Sequence, residues 1–489
     1  MGKYMNGICA AALSATLGLA IPTTAFAQDD GEVVVKQFEG GGVYEGTFRN
    51  GRQHGQGVYR TPDGYEYSGE WADGVIAGEG TARFADGSVY EGTFVDGKPE
   101  GEGRFTFADG GTYEGNWSGG KINGDGTVIY ATGVRYTGQF KEGEPHGQGR
   151  LEAPSGYIYQ GSWVDGLRDG TGTITYPDGA TYEGAMKAGK REGEGTLTTA
   201  EGVTFTGLWS DGQIEGEGRL VQANGDVFEG TFVAGKRQGK GRVVYANSDT
   251  YEGDFKDDFR HGKGVLTGSD GFRYDGDWIE GQIEGQGRMT YPDGSVYEGQ
   301  FRADQPEGNG RIVYPNGDVY AGSWLAGVID GEGKLEYANG RGYEGGFQDG
   351  SFHGVGKLTE PDGYVYDGEW NLGQRHGTGS TTYADGTTYE GGFANGRREG
   401  TGKIVIPGGF AYEGEWQAGE IDGQGIATYA DGTVYEGGFR QGKRQGQGVI
   451  RYASGEEASG EWQNGALTEA SAEVEDAAED AAPAEGTSN

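Results

Sequence analysis

The chain has 489 residues, a net charge of −37 and 105 glycines, with 34% hydrophobic residues and a mean hydropathy of −0.68. The negative charge argues against a nucleic-acid partner, because such binding depends on clustered Lys and Arg that neutralise phosphates. The composition also disfavours a thick hydrophobic core, so a thin fold stabilised by contacts between neighbouring segments is expected.

Residues 1–27 have the features of a cleaved signal peptide. A lysine precedes an apolar stretch over residues 8–21, and an A-x-A motif ends at Ala27. We therefore expect cleavage between Ala27 and Gln28, and export to the periplasm or the medium. The single cysteine, Cys9, lies inside this segment, so the mature chain is expected to have neither disulfides nor thiol chemistry.

Residues 28–43 are predicted to form an N-terminal capping strand, and a 23-residue repeat begins at Tyr44. Eighteen full repeats follow without an insertion or deletion, and a half repeat begins at Ala458, so the array covers residues 44–465. We number each repeat from its first residue, position 1. A fixed period of this length indicates a repeat architecture. Residues 466–489 form an acidic Ala/Glu tail without aromatic residues and are predicted to be disordered.

The same residue types recur at fixed positions of the repeat. Position 1 is Tyr or Phe in every full repeat, position 5 is aromatic except at Met186, and positions 3, 12 and 14 are glycine. Period-two alternation is typical of strands, so positions 1, 3 and 5 are expected on one face, as are 12, 14, 16 and 18. Gly at position 8 and Asp-Gly at positions 20–21 indicate short turns. The sequence therefore predicts an all-β fold, an elongated, twisted, single-layer antiparallel meander of consecutive β-hairpins.

The polar residues match no known catalytic or metal motif. All five histidines occupy position 11, at least one repeat apart, which favours turn packing over metal binding. The regular carboxylates match neither an EF-hand nor a nonapeptide calcium repeat, and no Gly-Lys precedes Ser or Thr as in a P-loop. We expect a non-enzymatic protein without catalytic residues, cofactor or metal, and the sequence leaves calcium binding open.

Two columns of side chains are candidate interaction surfaces. Tryptophan alternates with phenylalanine at position 5, giving a period of 46 residues, and contiguous exposed aromatic surface usually marks an interaction site. The predicted interaction face consists of Trp71, Trp117, Trp163, Trp209, Trp278, Trp324, Trp370, Trp416 and Trp462. Basic doublets at positions 9–10 are candidate contacts to phosphate headgroups, and they are Lys190, Arg191, Lys236, Arg237, Arg397, Arg398, Lys443 and Arg444.

The motif Tyr-Glu-Gly-x-Trp/Phe-x-x-Gly-x-x-x-Gly-x-Gly, followed by Asp-Gly-x-x-Tyr, resembles the MORN (membrane occupation and recognition nexus) repeat. The clearest copies begin at Tyr67, Tyr297 and Tyr412, and the resemblance covers residues 44–465. It implies consecutive β-hairpins in one elongated, twisted sheet. It also links the chain to membrane-associated scaffolds such as junctophilins and plant phosphatidylinositol phosphate kinases, in which other domains supply the chemistry. The repeats therefore imply no kinase activity.

Three functional hypotheses remain. The leading one is an exported, non-enzymatic scaffold that binds a protein partner or itself through the aromatic face, with a membrane surface as a further location. The second is glycan or cell-wall recognition, since regularly spaced aromatic rings can stack on sugars. The third is phospholipid headgroup binding through the basic doublets, which the overall negative charge weakens.

Overall fold

The structure is a computed structural model that describes residues 31–470. The predicted signal peptide, its cleavage site between Ala27 and Gln28, and residues 471–489 of the predicted tail lie outside this range. Within it the chain is all β, and no helix is long and apolar enough to cross a membrane. The described residues form two compact units, which divide between Phe259 and Arg260.

In both compact units, each strand pairs antiparallel with the strand that follows it. The first contains β1 (Val34–Gln37), β2 (Val43–Arg49), β3 (Arg52–Arg60), β4 (Glu66–Ala72), β5 (Val75–Arg83), β6 (Val89–Val95), β7 (Lys98–Thr106), β8 (Thr112–Ser118), β9 (Lys121–Ile129), β10 (Arg135–Lys141), β11 (Glu144–Glu152), β12 (Ile158–Val164), β13 (Leu167–Thr175), β14 (Thr181–Lys187), β15 (Lys190–Thr198), β16 (Thr204–Ser210), β17 (Gln213–Val221), β18 (Val227–Val233), β19 (Lys236–Val244) and β20 (Thr250–Lys256). The second contains, from the boundary onward, β21 (Phe259–Thr267), β22 (Arg273–Ile279), β23 (Gln282–Thr290), β24 (Val296–Arg302), β25 (Gln305–Val313), β26 (Val319–Leu325), β27 (Val328–Glu336), β28 (Gly342–Gln348), β29 (Ser351–Thr359), β30 (Val365–Asn371), β31 (Gln374–Thr382), β32 (Thr388–Ala394), β33 (Arg397–Ile406), β34 (Phe410–Gln417), β35 (Glu420–Thr428), β36 (Val434–Arg440), β37 (Lys443–Arg451), β38 (Glu457–Gln463) and β39 (Ala466–Ala470).

Each repeat supplies two strands. The first strand ends at position 6, and the second strand spans positions 9–17, as in β2 and β3. The predicted all-β fold of consecutive antiparallel hairpins is confirmed.

The two turns of each repeat differ because different residues occupy them. At positions 7–8 both residues have positive φ, 50° at Asn50 and 76° at Gly51, which is the backbone of a type I′ hairpin turn. At positions 20–22 an Asp carboxylate accepts the backbone N–H two residues later, as Asp86 does from Ser88 at 2.9 Å. The intervening Gly87 has a φ of 90°. Both turns are short, which explains why sequential strands are neighbours.

A β-bulge between positions 3 and 5 recurs in the first strands. In β24, Gly299 pairs with Gly310 and Phe301 pairs with Pro306, and the register shifts between these two pairs. A bulge of this kind bends the strand and re-aims its side chains. Position 5 consequently lies beside position 10 of the same repeat. The period-two pattern did not predict position 10 as a core position. Pro306 is buried.

The core consists of aromatic rings that lie on glycine. Tyr297 at position 1 is fully buried, and its hydroxyl donates to the backbone oxygen of Gln300 at 2.9 Å. A Cβ atom on Gly310, at position 14, would lie 2.2 Å from the Tyr297 hydroxyl oxygen, so only glycine fits there. The strand glycines therefore leave the room that the aromatic rings need.

Burial of the tyrosine column should make the fold sensitive to alkaline pH. Desolvation raises the pKa of Tyr320 and of Tyr412 from the ordinary value of 10.0 to about 12. The unfolded chain releases these phenol protons first, so stability is complete below about pH 10 and is lost as the pH rises toward 12. We expect circular dichroism and tyrosinate absorbance to report one cooperative transition in this window. Tyrosine ionisation with the β-structure intact would contradict this expectation.

Candidate functional site

The nine tryptophans at position 5 are core side chains, and the most exposed of them, Trp117, is only 9% exposed. Trp324 packs edge-to-face on Tyr320 and on Tyr297 of the preceding repeat, with ring centroids 5.6 and 5.2 Å apart. Its indole N–H donates to the carbonyl oxygen of Gly310 at 3.4 Å. The buried set is Trp71, Trp117, Trp163, Trp209, Trp278, Trp324, Trp370, Trp416 and Trp462.

This placement corrects the expectation that the tryptophan column is an open interaction face. The physical reason is that neighbouring repeats cover one another: Trp71, for example, contacts Tyr67 of its own repeat and Tyr44 of the preceding one. The indole N–H groups are also satisfied within the fold, because they donate to position-14 carbonyl oxygens.

The basic doublets divide into an exposed and a half-buried member. The exposed members, at position 9, are Lys190, Lys236, Arg397 and Lys443. The Lys236 ammonium group lies 3.3 Å from the carboxylate of Asp257, and Lys190 forms the equivalent ion pair with Asp211. Two of these four cations therefore already have carboxylate partners in the next repeat.

The position-10 arginines are part of the packing. The Arg398 guanidinium carbon lies 4.1 Å from the ring centroid of Trp416, and its Nη2 donates to the Gly419 carbonyl oxygen at 3.0 Å. The other stacked pairs are Arg191 with Trp209 at 3.9 Å, Arg444 with Trp462 at 4.2 Å, and Arg237 with Phe255 at 5.4 Å. Arginines held in this way do not extend from the surface as phosphate-binding arms.

Replacing Arg398 with alanine is expected to lower the free energy of unfolding by about 1–2 kcal/mol, because the cation–π contact and the hydrogen bond to Gly419 are lost. The neighbouring exposed Arg397 is the matched control, and Arg397→Ala should change stability by less than about 0.5 kcal/mol. Urea denaturation followed by circular dichroism measures both variants. Equal losses of stability in the two variants would show that Arg398 is no more a part of the packing than the exposed Arg397.

The residue at position 11 caps the turn of the next repeat. His54 accepts the backbone N–H of Asp73 through Nδ1 at 3.4 Å, and Asp169 accepts that of Ala188 at 3.0 Å. His54 thus caps a turn in the same way as the carboxylates of this column, whereas the buried Nδ1 atoms of His146 and His353 have no hydrogen-bond partner among the described residues. Across residues 31–470, no group of three or more His, Cys, Asp and Glu side chains is arranged to hold a metal ion.

The polar face of the second compact unit contains a groove. The glycines at positions 3 and 14 form its floor, and it has a volume of about 1170 Å³ between Glu390 and Gly460. A smaller cavity of about 640 Å³ lies on the same face between Lys263 and Gly299. We call the larger feature the polar-face groove. It is a shallow concave surface that is open to solvent.

The walls of the polar-face groove carry paired charges and amides. The Lys403 ammonium group lies 3.0 Å from the Glu413 carboxylate, and the Arg451 guanidinium lies 3.3 Å from that of Glu436. These groups are about half exposed, so their ion pairs are weak and can be exchanged for contacts to a ligand. The exposed amide of Gln424 follows along the same groove.

Sequence reasoning did not predict this groove, because period-two alternation shows which columns share a face and carries no information on how that face curves. The lining residues occupy positions 2, 3, 13, 14, 15 and 17 of successive repeats.

Each repeat forms a β-hairpin of the same kind, so the chain is a β-hairpin repeat protein. The family model of the MORN repeat matches eighteen consecutive segments, and the chain therefore belongs to the MORN repeat family. The matched residues are 44–64, 67–89, 90–112, 113–135, 136–156, 159–181, 182–204, 205–227, 228–250, 251–273, 274–296, 297–319, 320–340, 343–363, 366–388, 389–409, 412–434 and 435–457. Members of this family are generally non-enzymatic repeat scaffolds that bind proteins or membrane lipids. No curated protein matches the chain.

Solved structures show only weak similarity. The TCP10 domain of Danio rerio CPAP is 16% identical over 43% of this chain and 97% of that one, with a TM-score of 0.25. The SAS-4 (dCPAP) TCP domain of Drosophila melanogaster, in complex with a proline-rich motif of Ana2, is 16% identical over 43% and 99%, with a TM-score of 0.20. A streptogramin B lyase is 11% identical over 66% and 93%, with a TM-score of 0.11. Scores this low carry no argument about this chain.

Proposed function

We propose that this chain is an exported, non-catalytic scaffold that binds an extended segment of a protein partner in the polar-face groove. The observation that supports this proposal is the groove itself, because the aromatic face is occupied by its own packing. Export rests on the signal-peptide pattern that ends at Ala27. Membership of a family of repeat scaffolds agrees with a binding role and with the absence of a recognisable catalytic motif in the sequence.

The chemistry of the groove favours a polypeptide over the two alternatives. Gln424 and Gln447 offer amides that both donate and accept, as does the hydroxyl of Ser459, which suits the alternating donors and acceptors of a peptide backbone. The carboxylates of Glu413 and Glu436 lie beside the cations Lys403 and Arg451 and would repel an anionic headgroup. Sugar stacking loses its main support, because the indoles are buried.

The test uses mature protein, residues 28–489, and peptides selected from a displayed random library. Affinity is compared between the wild type and Gln424→Trp/Gln447→Trp, which fills the groove with two large side chains. The matched control is Gln56→Trp/Gln148→Trp, at the same repeat position in the first compact unit. We expect at least a tenfold loss of affinity in the first variant and little change in the control.

Three results would overturn the proposal. Peptide binding that is unaffected by the groove substitutions would place the site elsewhere. Binding to anionic vesicles without peptide binding would favour headgroup recognition, and it should then depend on Lys190, Lys236, Arg397 and Lys443 and weaken with salt. Retention on polysaccharide alone would favour a glycan ligand.

A further inference from the structure

The array contains a second, longer period of nine repeats. Residues 44–250 and 251–457 each number 207, which is nine times the 23-residue period, and they align without a gap. We call them the first and second blocks. Position 10 varies along the chain and is nevertheless identical in seven of the nine aligned pairs of repeats, whereas an offset of eight repeats leaves two identical pairs in ten. The seven pairs are Ile76 and Ile283, Pro99 and Pro306, Ile122 and Ile329, Arg168 and Arg375, Arg191 and Arg398, Ile214 and Ile421, and Arg237 and Arg444.

The same contacts recur at the same places in the two blocks. Arg168 and Arg375 are the two arginines at position 10 of tryptophan-containing repeats, and they are 207 residues apart. Each donates to a tyrosine hydroxyl, Arg168 to Tyr157 and Arg375 to Tyr364. The boundary between the two compact units, after Phe259, falls within the first hairpin of the second block. The array therefore consists of two copies of a nine-repeat unit.

The two blocks share their core and differ on their polar face. Position 5, in the core, is identical in eight of the nine aligned pairs, whereas position 4 is identical in none, position 13 in one and position 15 in two. Exposed positions tolerate substitution in most proteins, so the difference alone does not assign a ligand. It does mean that the same strand pairing presents two different sets of side chains.

In the second block, the polar-face groove contains exposed apolar side chains. Ile426, Glu436, Val449 and Ser459 follow one another across β35 to β38, and each is paired with the next. All four line the groove, and Ile426 is 45% exposed. An extended segment in the groove can therefore bury apolar side chains against Ile426 and Val449.

At the corresponding places, the first block carries charges of alternating sign. Arg219, Glu229, Arg242 and Glu252 follow one another across β17 to β20, and we call these four residues the first-block face. The Arg219 guanidinium lies 3.2 Å from the Glu229 carboxylate, and both side chains are about half exposed. Within residues 31–470, the exposed Arg242 forms no ion pair. Exposed charges of this kind are available to a charged ligand, because their ion pairs with each other are weak.

We infer that the first-block face is a second binding site, for an extended protein segment that carries both acidic and basic residues, and that it does not accept the ligand of the polar-face groove. Acidic residues of the segment pair with Arg219 and Arg242, and basic residues pair with Glu229 and Glu252. This inference rests on the proposed function, because it assigns the same kind of ligand to the same face of the other block. A chain with two unlike sites can join two different partners.

The first test uses mature protein, residues 28–489, in which Gln424→Trp/Gln447→Trp fills the polar-face groove. Peptides are selected on this variant from a displayed random library. We expect the selected peptides to carry acidic and basic residues. Their affinity should fall about tenfold or more between roughly 0.05 and 0.5 M salt, because salt screens exposed charges.

Substitutions in the first-block face locate the site of these peptides. Arg219→Gln/Arg242→Gln, added to the groove-filled variant, should lower their affinity about tenfold or more, because both cationic partners of the acidic residues are lost. The matched control is Arg104→Gln/Arg150→Gln, at position 15 elsewhere in the first block, and it should change the affinity less than about twofold. Equal losses in the two variants, or peptides without acidic residues, would overturn the inference.

The second test counts the sites for a groove peptide, meaning a peptide selected on the wild type whose binding is abolished when the groove is filled. Isothermal titration calorimetry should give one groove peptide per wild-type chain. Glu217→Gln/Arg219→Ile/Lys240→Gln/Arg242→Val places the residues of the groove at the corresponding positions of the first block, and should raise the number to two. Two groove peptides per wild-type chain would overturn the inference, because the blocks would then be equivalent.

The failure of this inference is distinguishable from the failure of the proposed function. If no groove peptide is found, the proposed function fails. If groove peptides bind the wild type and the groove-filled variant selects no peptide at all, the proposed function stands and the second site is absent.

Discussion

Replacing Trp324 with alanine is expected to lower the free energy of unfolding by about 3–5 kcal/mol, the range for removing a large aromatic side chain from a core. The ring is 8% exposed and contacts Tyr320 and Tyr297, so its loss leaves a cavity between two repeats. The substitution also leaves the Gly310 carbonyl oxygen without the indole N–H that it now accepts at 3.4 Å. Urea denaturation of the mature protein, followed by circular dichroism, measures the change.

The matched control is the next residue in the same strand. Leu325 is 57% exposed, so Leu325→Ala should change stability by less than about 0.5 kcal/mol. The comparison separates a core role for the indole from a binding role. If Trp324→Ala kept wild-type stability and lost binding to a ligand, the tryptophan column would be an interaction face, as the sequence suggested.

Replacing Gly310 with alanine is expected to destabilise the fold by about 3 kcal/mol or more, because overpacking at this site cannot be relieved by a rotamer change. The new methyl group would lie 2.2 Å from the Tyr297 hydroxyl oxygen and 2.4 Å from ring carbons of the same side chain. The ring cannot withdraw easily, since it is fully buried and its hydroxyl is bonded to the Gln300 backbone oxygen.

Gly373 provides the control for a glycine whose role is conformational. It has a φ of 80° and no atom within 4 Å of an added Cβ, so Gly373→Ala should cost about 1 kcal/mol through backbone strain alone. Thermal denaturation of both variants compares the two costs. A Gly310→Ala variant no less stable than Gly373→Ala would show that the position-1 ring can move off the glycine column.

The strands and turns were predictable because both are encoded locally. Period-two alternation identifies the strand face, and Asn50-Gly51 or Asp86-Gly87 allow the positive φ values of the two turns. The glycine columns were also predictable, since strand glycine beside a regular aromatic column needs a packing reason. Tyr297 over Gly310 shows that reason directly.

Burial of the tryptophans and the core role of position 10 could not be read from the pattern. Burial depends on rings from neighbouring repeats, as when Tyr297 covers Trp324, and a hydropathy pattern within one repeat does not contain this information. The β-bulge after position 3 brings position 10 next to position 5, so a side chain such as Ile283 is paired with Trp278. The only sequence signal was the frequent isoleucine at position 10 of tryptophan-containing repeats.

The packing at position 10 follows the two-repeat period in part of the array. Arg444 pairs with Phe439 of its own repeat, and its guanidinium lies 4.2 Å from the Trp462 ring of the next. Ile283, in a tryptophan-containing repeat, is paired with its own Trp278. The match is not general, because Arg168 and Arg375 pair with the tryptophans of their own repeats and Pro306 pairs with Phe301.

Duplications or deletions of one repeat and of two repeats therefore have different effects on the packing of this array. Gain or loss of 46 residues keeps Arg191, Arg398 and Arg444 each against a tryptophan of the next repeat, whereas gain or loss of 23 would place a smaller ring there. Phe232 and Phe255, in consecutive repeats, mark one such odd step: Arg237 lies 5.4 Å from Phe255 and is held by the Asp258 carboxylate, which accepts its backbone N–H at 3.0 Å. For these arginines, the segment that can be copied with its ring contacts intact is two repeats long, although one repeat already supplies a complete hairpin.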